Sequence, residues 1–149
     1  MQRFTSVLAL VALLAFIAAC SPQPGGTPTS PTGAPGAGKT IKSAAAGNNL
    51  TVTLSNKDGV IKHGDEEFYL TFTDASGKPV DVGAVSLTFH MPAMGAMPVM
   101  NNPASFATTS TPGVYRGKAT IEMAGEWQAQ ITYEGPAGKG QTAFPVLVQ

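Results

Sequence analysis

Large apolar residues alternate with polar ones in six stretches between Leu50 and Val148. Thr, Ser, Lys, Gln and Glu occupy most of the positions between the apolar ones. A period of two is typical of strands in antiparallel sheets that have one face toward solvent. The predicted inward faces are Leu50, Val52 and Leu54; Phe68, Leu70 and Phe72; Val85, Leu87 and Phe89; Tyr115, Ala119, Ile121 and Met123; Trp127, Ala129, Ile131 and Tyr133; and Phe144, Val146 and Val148.

Turn-forming residues separate these stretches, for example at 56–59, 74–79, 110–113 and 134–138, where Gly, Pro, Asn, Asp and Ser are concentrated. The spacing leaves room for one further short strand near 60–61 or 80–82. Six clear strands joined by short turns favour a sandwich over a barrel. We therefore predict an all-β fold, an immunoglobulin-like antiparallel β-sandwich of about seven strands, over residues 47–149.

The first 20 residues have the pattern of a bacterial lipoprotein signal peptide. Arg3 is followed by an apolar run over 7–19 that is too short to span a bilayer comfortably. The run ends in Ile17-Ala18-Ala19-Cys20, which resembles a lipobox, and Cys20 is the only cysteine. We expect Cys20 to carry diacylglycerol, which would anchor the protein outside the cytoplasm in the cell envelope, on the periplasmic side if the cell has an outer membrane. The alternative is an ordinary secretory signal with an incidental cysteine.

Residues 21–46 contain five of the twelve prolines among Gly, Ser, Thr and Ala, without aromatic residues or apolar periodicity. This composition predicts a disordered tether between the anchor and the folded domain. With Cys20 acylated, the domain has no disulfide and no thiolate ligand, so a metal site would use Met, His or carboxylate.

Charge and residue content exclude some function classes. The chain has nine basic and nine acidic residues without basic clusters, which argues against a nucleic-acid partner. Its two histidines lie in separate segments, and no free thiol is expected, so nucleophilic catalysis is poorly supported. We expect a protein that is not an enzyme.

Methionine recurs every third residue at Met91, Met94, Met97 and Met100 in the sequence HMPAMGAMPVM. A polyproline II or 3₁₀ segment has this period and would align the four sulfurs along one side. Thioethers are soft ligands that select Cu(I). In extended geometry one ion could be shared by two sulfurs, and a third or fourth would require the chain to turn at Gly95.

Packing is the competing interpretation for these residues. Met91 continues the inward alternation of Val85, Leu87 and Phe89, which favours a place in the core. For Met94, Met97 and Met100, metal binding and packing remain equally open. His90 falls on the face opposite Met91, where exposure to solvent is favoured over a ligand role. We also expect His63 in a solvated turn, and Met123 and Trp127 in the core.

Five segments in order resemble the signatures of the YtkA-like domain family, which is similar to the FixH-like proteins. They are DASGKPV at 74–80, AV at 84–85, MPAMG at 91–95, PGVY at 112–115 and MAGEW at 123–127. The resemblance implies an immunoglobulin-like sandwich outside the cytoplasmic membrane, without a defined enzymatic activity. It also implies links to copper handling, efflux assemblies or oxidase maturation. Many members carry His shortly after the Met-Pro-x-Met-Gly segment, whereas this chain has Ala96.

Two functions follow as hypotheses. In the first, a lipid-anchored domain binds or delivers Cu(I) through Met94, Met97 and Met100, with Met91 or His90 as additional ligands, and acts with a copper-handling, efflux or oxidase-assembly protein. In the second, the domain is a non-catalytic scaffold or accessory module, and the Met-Pro loop docks a partner protein.

Overall fold

The computed structural model describes residues 38–149, in which every regular element is a β-strand. The predicted signal peptide, Cys20 and residues 21–37 of the predicted tether lie outside the described residues. Within the described part, no helix is long and apolar enough to cross a membrane. The strands are β1 (Lys39–Gly47), β2 (Leu50–Asn56), β3 (Gly64–Thr73), β4 (Ala84–Met91), β5 (Met100–Pro103), β6 (Ser105–Thr108), β7 (Val114–Ile121), β8 (Gly125–Gly135) and β9 (Gly138–Val148).

The strands form two antiparallel sheets, ordered β1-β2-β3-β7-β6 and β5-β4-β8-β9. In the immunoglobulin fold, strands A, B, E and D form one sheet and strands C, F and G the other. Here β2, β3, β7 and β6 take the first set of places, and β4, β8 and β9 take the second. The additional strands β1 and β5 each extend one sheet at its edge. The predicted immunoglobulin-like sandwich is confirmed, with nine strands rather than about seven.

The core lies between the inward faces that the alternation predicts. Val52, Phe68 and Ile131 are fully buried, and all six predicted strands form. Trp127 is also fully buried, and its Nε1 donates to the Met123 carbonyl oxygen at 3.1 Å. The prediction that Trp127 packs in the core is therefore confirmed. Met123 is half-buried against the core but lies in the turn before β8, beyond the end of β7.

The predicted boundary between tether and domain is wrong, because residues 39–46 form most of strand β1. Their apolar side chains are mainly small, so the sequence shows no strong alternation, although Ala46 is fully buried. The hairpin to β2 turns at Asn48 and Asn49, whose φ values are 51° and 58°. Asn tolerates positive φ better than other non-glycine residues, and this pair suits a two-residue hairpin turn.

The Asn48 side chain also joins the two sheets at this end of the sandwich. Its Nδ2 donates to the Tyr133 hydroxyl at 3.1 Å and to the Lys139 carbonyl oxygen at 3.0 Å. Tyr133 and Lys139 belong to β8 and β9, so the β1–β2 turn is fixed to the opposite sheet.

The extra short strands also differ from the prediction. Neither 60–61 nor 80–82 forms a strand. Ile61 makes a single parallel bridge with Val148, and Pro79, just before 80–82, makes a single antiparallel bridge with Thr73. Instead, the chain after β4 forms the four-residue strands β5 and β6. Their sequences, MNNP and SFAT, lack a clear alternation of large apolar residues, and so the pattern does not reveal them.

Tyr115 fixes the loop that leads into β4. Its hydroxyl donates to Asp81 Oδ1 at 2.8 Å and accepts from the Val82 N–H at 3.1 Å. Burial raises the pKa of Tyr115 to about 12, and the hydrogen bond to Asp81 adds to this increase. Two hydrogen bonds lower the pKa of Asp81: the larger effect comes from the Gly83 N–H and the smaller from the Tyr115 hydroxyl. The start of β4, the strand that carries His90 and Met91, is thereby held in place.

We predict that a fragment of residues 38–149 folds on its own with a circular dichroism spectrum of strands and little helix. A fragment that starts at Gly47 should have a lower urea midpoint, because it lacks β1 and leaves the edge of β2 unpaired. A helical or disordered spectrum for the longer fragment, or equal midpoints for the two fragments, would contradict the assignment of β1.

Candidate metal centre

Residues 91–100, called the Met hairpin below, reverse the chain between β4 and β5. Met91 at the end of β4 lies directly opposite Met100 at the start of β5. Met94 lies opposite Met97, and the two exchange both backbone hydrogen bonds: the Met97 N–H donates to the Met94 oxygen at 2.9 Å, and the Met94 N–H to the Met97 oxygen at 3.2 Å. The four methionines therefore form two cross-strand pairs.

A two-residue turn, Gly95-Ala96, closes the tip of the Met hairpin. The φ of Gly95 is 58°, a value that glycine adopts without steric cost. Gly at the first central position suits a two-residue hairpin. Between the two Met pairs lie Pro92 and Pro98, which have no N–H to donate, and the regular ladder is interrupted there.

This geometry corrects the prediction of a single row of sulfurs in a polyproline II or 3₁₀ segment. Instead, the chain reverses direction midway between Met94 and Met97, and this hairpin also accounts for a methionine at every third position. Directly opposite residues project to the same side of an antiparallel pair, and the Cα atoms of a hydrogen-bonded pair lie about 5.5 Å apart. The turn at Gly95 thus opposes two thioether side chains at the tip.

The two pairs differ in burial. Met91 is 1% exposed and Met100 is half-buried against the core, whereas Met94 is 51% exposed and Met97 is 37% exposed. A Cβ on Gly125 would lie 3.0 Å from the terminal methyl carbon of Met91, so the side chain of Met91 fills the space that this glycine leaves. Packing of Met91 is confirmed, and the pair at the tip combines exposure with direct opposition.

His90 lies outside the Met hairpin, opposite Asn101 on β5. Its Nδ1 is 2.8 Å from the Asn101 Oδ1. An amide oxygen can only accept, so Nδ1 is the donor in this contact. His90 is four residues before Met94, about 13 Å along an extended strand. A shared imidazole–thioether site would require both side chains to lie along the strand toward each other.

Other candidate ligands are dispersed. Within residues 38–149, no three His, Asp or Glu side chains group as they would around a metal ion. His63 is exposed, and its Nδ1 lies 3.1 Å from the Gln149 carbonyl oxygen. Asp65, nearby, accepts a hydrogen bond from the Thr120 hydroxyl at 2.6 Å. The predicted solvated turn at His63 is confirmed.

The Met hairpin itself carries no charged side chain. From Met91 to Tyr115 the chain contains no Asp, Glu, Lys or Arg. The Met hairpin offers a cation no carboxylate of its own, so ligand softness rather than charge would select the ion there.

The pairing of the methionines and the Asn101 partner of His90 were not foreseen from the sequence. One available signal was a Gly at the centre of a segment with two methionines on each side, which is compatible with a hairpin turn. The two prolines obscured this signal, because they argue against an ordinary strand.

A family model described as YtkA-like matches residues 44–132. The matched region runs from within β1 into β8 and includes the whole Met hairpin. Neither the curated proteins nor the solved structures gave a match to the chain.

We predict that Gly95→Ala loosens the tip, because nothing contacts the added methyl group but the backbone must keep a positive φ. The strain of about 1–2 kcal/mol should speed amide hydrogen exchange at Met94 and Met97 by roughly 5- to 30-fold. Gly95→Asn is the matched control, because Asn adopts positive φ more readily, and should change exchange less. Equal exchange in the two variants would contradict the turn.

Proposed function

This chain belongs to the YtkA-like family, and we propose that its folded domain binds Cu(I) through the opposed thioethers of Met94 and Met97. The observation that carries the proposal is the reciprocal backbone pairing of these two residues at an exposed hairpin tip. The proposed ligand set is smaller than the one expected from the sequence. Met91 and Met100 are left out because they pack at the base of the Met hairpin, and His90 because it lies on the strand before it.

The chemistry of the tip suits a soft monovalent ion. Thioether sulfur is polarisable and has no proton to lose, so it binds Cu(I) without the proton release that thiolate or imidazole ligands require. Methionine has three rotatable side-chain bonds, which allow two sulfurs on opposed residues to converge on one ion. An ion with two ligands at a projecting tip stays accessible to ligands from another molecule, which suits delivery as well as binding.

The proposal includes a lipid anchor at Cys20. Because β1 starts at Lys39, the linker from the anchor would be residues 21–38, eight residues shorter than the sequence indicates. A flexible linker of this length has an r.m.s. reach of about 20–25 Å. The domain would therefore stay close to the membrane, outside the cytoplasm, where a membrane-bound copper-handling, efflux or oxidase-assembly protein could meet the tip.

A second candidate function is a non-catalytic docking module. Of the four large apolar side chains that are exposed within residues 38–149, three lie on the Met hairpin: Met94, Met97 and Val99. Exposed apolar groups in an uncharged segment suit a protein contact, and flexible methionines adapt to different partner surfaces. This candidate predicts partner binding without any need for a metal. Neither candidate involves catalysis by this chain.

We predict that the domain binds Cu(I) in preference to Zn(II) and that Met94→Leu with Met97→Leu abolishes this preference. Leucine keeps most of the apolar volume, so the fold should survive. The affinity for Cu(I), measured by competition with a chromophoric chelator, should fall by more than about 100-fold, because even second-shell changes at metal sites cost 10–100-fold. Met123→Leu, in the turn before β8, is the matched control and should leave the affinity unchanged.

The pH dependence of the same titration identifies the ligand type. A site of thioethers alone should keep its affinity as the pH falls to about 5, whereas a site that needs an imidazole, with a reference pKa of about 6.5, should weaken. Unchanged Cu(I) affinity in a folded double variant would exclude Met94 and Met97 as the site. Absence of Cu(I) binding by the parent domain would favour the docking module.

We predict that Cys20→Ala prevents acylation and releases the protein from membranes, because the thiol is the attachment point for diacylglycerol. Labelling cells with a fatty acid and fractionating their membranes measures both effects. A Cys20→Ala protein that is still labelled and still sediments with membranes would contradict the anchor.

A further inference from the structure

The five methionines of the described domain differ widely in their access to solvent. Met94 and Met97 are exposed at the tip, Met100 and Met123 are half-buried against the core, and Met91 is almost completely buried. Oxidation of methionine depends on access of the oxidant to the sulfur. The fold therefore leaves Met94 and Met97 most accessible to an oxidant and Met91 least accessible.

We propose that Met94 and Met97 are a reversible oxidation site, at which conversion to methionine sulfoxide switches off Cu(I) binding. The oxidant is a peroxide: its terminal oxygen is transferred to the sulfur, which loses two electrons, and hydrogen peroxide is reduced to water. The switch rests on the proposed function, whereas the location of the oxidation site does not.

The same sulfur electrons serve both reactions. A thioether donates a lone pair to Cu(I), and that lone pair forms the S–O bond in the sulfoxide, whose exposed oxygen is a hard donor that suits Cu(I) poorly. Because Met94 and Met97 face each other, oxidation of either one removes half of a two-sulfur site. A bound soft ion should in turn protect both sulfurs from peroxide.

The fold also makes the modification tolerable. Sulfoxide groups at the tip would remain in water, whereas a sulfoxide at Met91 would place an unpaired polar group in the core. The backbone pairing of Met94 with Met97 uses only main-chain atoms and does not depend on the state of the sulfur. Exposure also gives a methionine sulfoxide reductase access, and two thiols then become a disulfide as the oxygen leaves as water.

The experiment treats the purified full chain with hydrogen peroxide and maps the oxidised residues over time. Trypsin places Met91, Met94, Met97 and Met100 together in the peptide of residues 63–116, since Lys78 precedes Pro79, and Met123 in that of residues 119–139. Fragmentation in the mass spectrometer assigns each sulfoxide. We expect Met94 and Met97 to react more than about tenfold faster than Met91, with Met100 and Met123 between them. In denaturant the five rates should converge.

Two further arms separate the site from the switch. Ag(I), a soft ion that does not reduce peroxide, should slow oxidation at Met94 and Met97 but not at Met123. After removal of peroxide, the fraction of protein that binds Cu(I) with the parent affinity should fall in proportion to the oxidised tip. It should return after treatment with both epimer-specific sulfoxide reductases and a dithiol. The Met94→Leu, Met97→Leu protein should show no peroxide-dependent change in any residual Cu(I) binding.

The possible outcomes test the oxidation site and the switch separately. Oxidation of Met100 or Met123 as fast as Met94 and Met97 would overturn the oxidation site. Full oxidation of the tip with unchanged Cu(I) affinity would overturn the switch and place the metal elsewhere. If the untreated protein binds no Cu(I), the proposed function and the switch both fail, and the mapping alone still decides whether the tip is the oxidation site.

Discussion

The register between β4 and β5 is the constraint on which the geometry of the candidate site depends. It places Met91 opposite Met100 and Met94 opposite Met97. A slip of one residue in an antiparallel pair moves each inward side chain to the outer face. Burial of Phe89 and Met91 in the core resists such a slip, so packing at the base of the Met hairpin determines which methionines face each other at its tip.

The central strands followed directly from the sequence, because the six inward faces are made of large side chains whose burial dominates the local energetics. The elements that were missed have weaker local signals. Strand β1 relies on Ala46 and on the turn at Asn48 and Asn49, and the composition of its other residues resembles that of the sequence before it. Strand β5 ends in Pro103 and gains its place by pairing with β4.

The three-residue spacing of the methionines was insufficient to predict the geometry of the Met hairpin. A spacing of three residues fits a polyproline II segment, and it equally fits a two-residue turn that places two pairs symmetrically around Gly95 and Ala96. The distinction depends on whether the two halves of the segment pair with each other across the turn, which the spacing of the methionines does not reveal. The burial of Met91, in contrast, was predictable because Met91 extends an alternation that begins at Val85.

Met94 and Met97 are exposed and lie opposite each other. The metal-binding and oxidation proposals are connected because both reactions use the lone pairs of these two sulfurs. The most direct test of the central claim is NMR of the protein labelled with ¹³C at the methionine methyl groups, titrated with Cu(I). If the opposed pair forms the site, the methyl signals of Met94 and Met97 shift together up to one equivalent, while those of Met91, Met100 and Met123 stay in place. Shifts confined to the latter three signals, or independent shifts of Met94 and Met97, would contradict a site formed by the opposed pair.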